Sequence, residues 1–281
     1  MIESEASRAR WSSLRPAVVG ELLSAALTEL GPGPLQVVDA GGGTGGFAVP
    51  LAAAGHHVTV VDPNPDAMAA LRRRVEEYVG ARGAGDSGRG TLAGTVTAIQ
   101  GDLAGLLEAV PPAGADVVLC HHVLELVDDP ASALRAVRAA LRPGGLASVL
   151  VTGRGGTVLA RVLAGRLGEA AELLGAVMPA PATVAGEPRP RGGATGGSGP
   201  AGYRIDELRD VLAAAGLDIT AMHAARVFGD LVPSGVLDGD PDATAALLAL
   251  ERTVATLPEY LPIAAQVHVL ARRDAPRAAP R

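Results

Sequence analysis

Leu35-Gln36-Val37-Val38-Asp39-Ala40-Gly41-Gly42-Gly43-Thr44-Gly45-Gly46 decides the fold class. An apolar run of strand length leads straight into a cluster of glycines, the pattern of a buried parallel strand over Leu35–Asp39. A small-residue helix, Gly46–Ala54, follows. His57–Val61 reads as a second strand, and Asp62 closes it, 21 residues after Gly41. Further strands fall at Thr95–Ile99, Asp116–Cys120, Leu146–Val151, Leu217–Phe228 and Gln266–Arg272.

Helical signals lie between these strands. Met68, Leu71, Val75 and Tyr78 recur at helical spacing after Pro65. Asp129-Pro130 is an N-cap with proline at N1, and Pro143-Gly144-Gly145 stops the helix it opens. That helix turns Leu134, Val137 and Leu141 inward and Arg135, Arg138 and Arg142 outward. Thr157–Leu174, Ile205–Ala215 and Ala243–Leu257 complete the set. Strand–helix alternation at this pitch predicts an α/β fold with a doubly wound, mostly parallel sheet. Gly80–Gly94 and Pro179–Gly202, both rich in glycine, read as loops.

Composition narrows the class. The chain has 281 residues, 48% hydrophobic and 19% charged, which suits a globular protein and argues against wholesale disorder. Its formal charge is −6, against the expectation for a dedicated nucleic-acid binder. The one cysteine, Cys120, excludes an intramolecular disulfide and a cysteine-based zinc site, and suits a cytoplasmic protein. No metal and no membrane span is expected, and the first ten residues lack the apolar core of a secretory signal. All 24 basic residues are arginine.

Asp39, Gly41, Gly42, Gly43 and Asp62 form the candidate binding constellation. Glycines permit positive φ and close approach of a ligand to the backbone. A helix N-terminus can receive an anionic or polar group, and a strand-end carboxylate can accept two hydrogen bonds from a ribose diol. Doubly wound sheets bind ligands at these carboxyl ends. Gly41-x-Gly43-x-x-Gly46 also matches a dinucleotide fingerprint, so an NAD-dependent oxidoreductase stays open. Against it, Asp39 inside the turn opposes a pyrophosphate and suits a cationic ligand.

The Asp39-x-Gly41-x-Gly43-x-Gly45 pattern resembles motif I of the class I S-adenosyl-L-methionine (AdoMet) methyltransferases. Gly101-Asp102 resembles the adenine-contacting position of that family. Leu141-Arg142-Pro143-Gly144-Gly145 resembles its LRPGG segment before the fifth strand. A further resemblance, to the bacterial tRNA 5-carboxymethoxyuridine methyltransferase family, covers almost the whole chain. It rests on Leu14–Ala17, on His121-His122-Val123-Leu124-Glu125-Leu126-Val127-Asp128-Asp129-Pro130, on Ala225–Asp230, on Leu250–Arg252 and Pro258–Tyr260, and on Val267–Arg272. The resemblance implies a seven-stranded Rossmann-like sheet with an antiparallel last strand, and AdoMet as cofactor. By it Arg15, Gly41, Gly42, Asp62, Gly101, Asp102 and His121 map to cofactor contacts.

On that basis a single domain is expected over residues 1–281. It comprises a helical cap (1–34), an AdoMet-binding core (35–152), a cap and loop (153–204), carboxyl-terminal strands and helices (205–273) and a tail (274–281). The implied reaction is methylation of a carboxylate on the tRNA wobble base; a small-molecule O- or N-methyltransferase on the same scaffold is the alternative, and a non-catalytic AdoMet binder a third.

The family's lysine-rich loop is replaced here by Pro179–Gly202 with only Arg189 and Arg191, which weakens the expected electrostatic grip on tRNA. A carboxylate acceptor is ionised at pH 7 and needs no base. Arg154, Arg161 and Arg226 are the candidates to hold it. His121 is the first candidate base for a phenol or amine acceptor, with His122 read as structural. Cys120 reads as an apolar strand-end residue, and Arg72-Arg73-Arg74 as a solvated helix face.

Overall fold

The computed structural model describes residues 17–83, 92–175, 202–237 and 240–274. Within them run helix α1 (Ala17–Glu29), strand β1 (Gln36–Ala40), α2 (Ala48–Ala53), β2 (His57–Asp62), α3 (Pro65–Gly83), β3 (Thr95–Gln100), α4 (Leu106–Ala109) and β4 (Ala115–His121). Then follow α5 (Pro130–Ala140), β5 (Leu141–Thr152), α6 (Arg154–Leu163), α7 (Leu167–Leu174), α8 (Ile205–Ala214), β6 (Leu217–Ala225), α9 (Ser234–Leu237), α10 (Pro241–Ala255), a 3-10 turn (Pro258–Ile263) and β7 (Gln266–Arg273).

The seven strands form one sheet in the order β3-β2-β1-β4-β5-β7-β6. All neighbours are parallel except β7, which runs antiparallel to β5 and β6. The chain steps from β1 outward to β2 and β3, then returns to place β4 on the other side of β1. That reversal opens a crevice at the carboxyl ends of β1 and β4, where such sheets bind ligands.

Both faces are covered, so the central strands are mostly apolar, with Asp39, Ser148 and His268 as buried polar exceptions. On one face Leu23 and Leu27 of α1, Val49 of α2 and Leu71 of α3 pack over Val37, Val58, Val117 and Leu119. On the other, Leu134 and Val137 of α5 and Leu208 and Leu212 of α8 cover Val118, Val149 and Val269. α5 begins where the sequence places its cap: Asp129 accepts a hydrogen bond from the Ser132 amide at 2.9 Å, with Pro130 next. Such caps contribute about 1 kcal/mol.

Three sequence expectations are corrected. The helix expected over Thr157–Leu174 starts earlier, at Arg154, and divides into α6 and α7 around Gly165, whose φ of +73° no helix accepts. The strand expected to reach Phe228 stops at Ala225, because Arg226 adopts a left-handed φ of +53° and turns the chain. Gly46–Ala54 contributes only Ala48–Ala53 to α2. Most of the Gly80–Gly94 and Pro179–Gly202 segments lies outside the described residues, as does Arg15.

Candidate active site

At the end of β1 the Gly41 amide donates to Val61 O at 2.7 Å, which draws the turn against β2. Gly41 holds φ +76°, and a Cβ there would lie 2.3 Å from Val123 Cγ2. A Cβ on Gly42 would sit 2.5 Å from the Asp39 carboxyl. The glycines are therefore required both by the path of the backbone and by the side chains crowding it. Asp62, at the end of β2, accepts from the Gly43 amide and the Asn64 amide, one on each carboxylate oxygen, at 2.9 Å each. This carboxylate ties the glycine turn to the β2 loop and keeps lone pairs for a ligand.

A cavity of about 710 Å³ opens over this turn. Gly41, Asp62 and Asn64 form one side, Asp102, Leu103 and Ala104 a second, and His122, Val123, Leu126 and Val127 a third. The structure thus brings Gly41, Asp62 and Asp102 to one space. Gly42, Gly43 and Gly101 belong to the adjoining backbone, and the Gly101 amide donates to Asp62 O at 3.2 Å. Asp39 lies buried beneath the turn, where burial and the charge on Asp62 push its carboxyl up to about 7. Arg74, expected in a solvated run, reaches Thr44 O at 3.2 Å and braces the turn from α3.

His121 does not line this cavity, contrary to its expected role as a cofactor contact and candidate base. As the last residue of β4 its side chain follows the strand alternation onto the sheet face under α1 and α2. Its ring stands edge-on to Phe47 at 4.6 Å, and its Nε2 meets Ser148 Oγ at 2.8 Å. Ser148 in turn meets His268 Nε2 at 2.8 Å, and His268 stacks on His223 at 5.4 Å. The Nδ1 atoms of these three histidines are buried without a partner among the described residues. Burial, reinforced by neighbouring His122, lowers His121 to about 3. It is held neutral and is unsuited to take up a proton near neutrality.

His122 occupies the cavity wall instead. Its φ of +57° breaks the alternation and swings the ring out of the sheet, while its amide remains bonded to Leu150 O at 2.7 Å. Its Nε2 lies 2.9 Å from Gln266 Nε2, and its Nδ1 faces Glu125 Oε1 at 3.6 Å. The Glu125 side chain is only 3% exposed. Its Oε1 accepts from the Thr152 amide at 2.5 Å, and its Oε2 is buried without a partner among the described residues. Burial works to raise the Glu125 carboxyl, but the facing His122 and the Thr152 amide outweigh it and hold the group below its ordinary range. The His122-x-x-Glu125 spacing was visible in the sequence; what was not visible was the left-handed backbone that turns His122 toward the cavity.

The expected anion-holding arginines are already engaged. Arg154 forms a two-pronged pair with Glu207, at 3.0 and 2.9 Å, and also donates to Gly202 O. Arg226 pairs with Asp230, and Arg161 with Glu169 at 2.9 Å. Arg154 borders a second cavity of about 750 Å³ past the end of β5, with Tyr203, Arg209 and Leu173. The Tyr203 hydroxyl donates to Leu124 O at 3.1 Å, and burial with the charge on Glu125 pushes it up to about 12. Cys120 is buried, and its thiol is pushed up to about 12 by burial and by Glu125 and Asp39, so it is no nucleophile. No metal-holding cluster occurs among the described residues, and no described helix is long and apolar enough to cross a membrane.

Residues 11–222 match the family described as a methyltransferase domain. Over 152 residues the chain is 34% identical to the tRNA 5-carboxymethoxyuridine methyltransferase of Escherichia coli K12, covering 54% of this chain and 53% of that protein. Over 112 residues it is 38% identical to a ubiquinone biosynthesis O-methyltransferase of Methylocella silvestris, covering 40% and 38%. The chain thus spans about half, or less, of the curated relatives it matches. Among solved structures, an S-adenosylmethionine-dependent methyltransferase from Methanosarcina mazei superposes with a TM-score of 0.55 at 13% identity, covering 89% of this chain and 97% of that one.

Proposed function

The chain belongs to the methyltransferase-domain family, and from that premise we propose that it is an AdoMet-dependent methyltransferase acting on an oxygen acceptor. The observation that carries this reading is the cavity over the glycine turn, with Asp62 at its β2 edge and no room for a Cβ on Gly41 or Gly42. Its donor set suits the cofactor. Asp62 offers a carboxylate to a ribose diol, Asp102 one to an exocyclic amine, and Leu103, Val123 and Val127 offer apolar contact to a purine.

AdoMet, when bound, supplies an electrophilic methyl group on a sulfonium. The protein's part is alignment and exclusion of water, so most of its contribution is proximity. Gly41 lets the ligand lie against the backbone, and Asp62 locks the turn through Gly43 and Asn64. His122, at the end of β4, forms the wall facing the acceptor.

Methylation of a tRNA carboxylate is the second reading on acceptor, supported by the Escherichia coli relative. Its structural support is reduced because Arg154, Arg161 and Arg226 are committed to internal carboxylates. Mass spectrometry of tRNA nucleosides from a strain lacking this protein tests it. Loss of the wobble methyl ester supports the tRNA reading; an unchanged nucleoside profile leaves a small-molecule oxygen acceptor.

A further inference from the structure

His122 and Glu125 are more than a wall. Four independent features meet at the end of β4. A non-glycine residue is held in a left-handed conformation that costs energy unless its surroundings demand it. Its imidazole lines the cavity with 41% of the side chain exposed. A carboxylate buried to 3% lies behind it, with one oxygen lacking a partner among the described residues. The Gln266 amide lies at Nε2, so as a donor there it leaves the ring proton on Nδ1, toward Glu125. A base oriented by a third group is the arrangement that removes a proton from a hydroxyl; here the ring lines the ligand space and its basic Nε2 is held by Gln266.

We propose that His122 accepts the proton of a neutral hydroxyl acceptor, of the phenol or enol class, and that Glu125 is its positioning residue. This rests on the reading of the cavity as an AdoMet site. The acceptor O–H exchanges with the Gln266 amide at Nε2, one neutral donor for another. As the O–CH3 bond forms from an oxygen lone pair, the O–H proton passes to Nε2. The S–CH3 bonding pair stays on sulfur, which leaves as a neutral thioether. The imidazolium so formed faces Glu125, and its proton later passes to water. A carboxylate acceptor has no proton to give and meets Glu125, Asp128 and Asp129 as like charges. A neutral hydroxyl brings no charge for these carboxylates to repel.

The test uses 4-nitrocatechol, whose visible spectrum changes when its hydroxyl ionises, bound to the full chain loaded with S-adenosylhomocysteine. Calorimetry with AdoMet is run on the same samples. Wild type is expected to shift the bound probe toward its ionised spectrum at a pH where free probe is largely neutral. His122→Asn, whose side chain tolerates the left-handed backbone, should still bind AdoMet and leave the bound probe neutral. Glu125→Gln, nearly isosteric, should reduce the shift while keeping AdoMet affinity; if it fails to fold, His122→Asn carries the test alone. With a hydroxyl acceptor, His122→Asn should lower single-turnover rate by about 10²–10⁴-fold. A probe that fails to bind wild type, a bound probe that stays neutral in wild type, or a shift that survives in His122→Asn overturns the assignment. Failure of wild type to bind AdoMet overturns the cofactor reading itself, so the two failures are told apart.

Discussion

Lowering the pH from 7.5 to 5 sets two buried groups at this site against each other. His121 is held near 3 in the folded chain, against 6.5 when free, so the native state refuses a proton that the unfolded state accepts. Its contribution to stability is complete above 6.5 and is lost as pH falls from 6.5 toward 3. At pH 5 the loss amounts to about 2 kcal/mol, from about 1.4 kcal/mol for each pH unit below 6.5. Asp39 runs the other way. Its carboxyl is raised from 3.8 to about 7, so the folded chain holds a proton that the unfolded chain has released. The cost of ionising it is absent below 3.8 and grows as pH rises through 7. Acidification to pH 5 therefore recovers about 3 kcal/mol. The two slopes nearly cancel in the wild type, and variants separate them. His121→Gln keeps a donor for Ser148, and its destabilisation relative to wild type should shrink by about 2 kcal/mol between pH 7.5 and 5. Asp39→Asn should be favoured over wild type at pH 7.5 and lose about 3 kcal/mol of that advantage at pH 5. Urea unfolding followed by circular dichroism at both pH values reads these differences. A His121→Gln penalty that is the same at both would mean that His121 titrates as a solvated histidine, and the buried Ser148 chain would be refuted.

Two further outcomes follow from single contacts. Gly41→Val should fold yet lose AdoMet binding, since its side chain would enter the space of Val123 at a position of positive φ; normal binding by a folded variant would reduce the turn to a structural feature. Glu251 is 6% exposed and accepts hydrogen bonds from the amides of Val227, Phe228 and Gly229 at 3.1, 2.9 and 2.8 Å. Glu251→Ala strands those donors beyond the left-handed Arg226 and should cost roughly 3 kcal/mol in denaturant unfolding; a loss under 1 kcal/mol would show that water replaces the carboxylate.

The parts of the fold legible in the sequence are those written in local pattern. β1, β4, β5 and β7 announce themselves as apolar runs, α5 by its Asp129-Pro130 cap, and Asp62 by its distance from Gly41. What escaped was set by backbone conformation or by distant partners. No propensity shows that Arg226 and His122 sit at positive φ, because neither residue type requires it. That one fact shortened β6 and exchanged His122 for His121 at the cavity. The strand alternation of β4 carried the missing signal for His121: Leu119 beside it faces α1 and α2, and His121 falls on the same side. The fate of Arg154 was unreadable, since its partner Glu207 lies 53 positions away and is brought near only when α8 packs by the end of β5. Gly165 could have been read as the break between α6 and α7, being a glycine amid strong helix formers.

In the proposed function, the cavity at the ends of β1, β2 and β4 holds AdoMet through Asp62. Isothermal calorimetry of the chain with AdoMet, with NADH, and of a folded Asp62→Ala variant with AdoMet tests it directly. AdoMet is expected to bind and NADH not to, with the variant weaker by roughly 1–3 kcal/mol through loss of a charged hydrogen-bond partner. AdoMet affinity unchanged in the folded variant, or NADH bound in place of AdoMet, would contradict it.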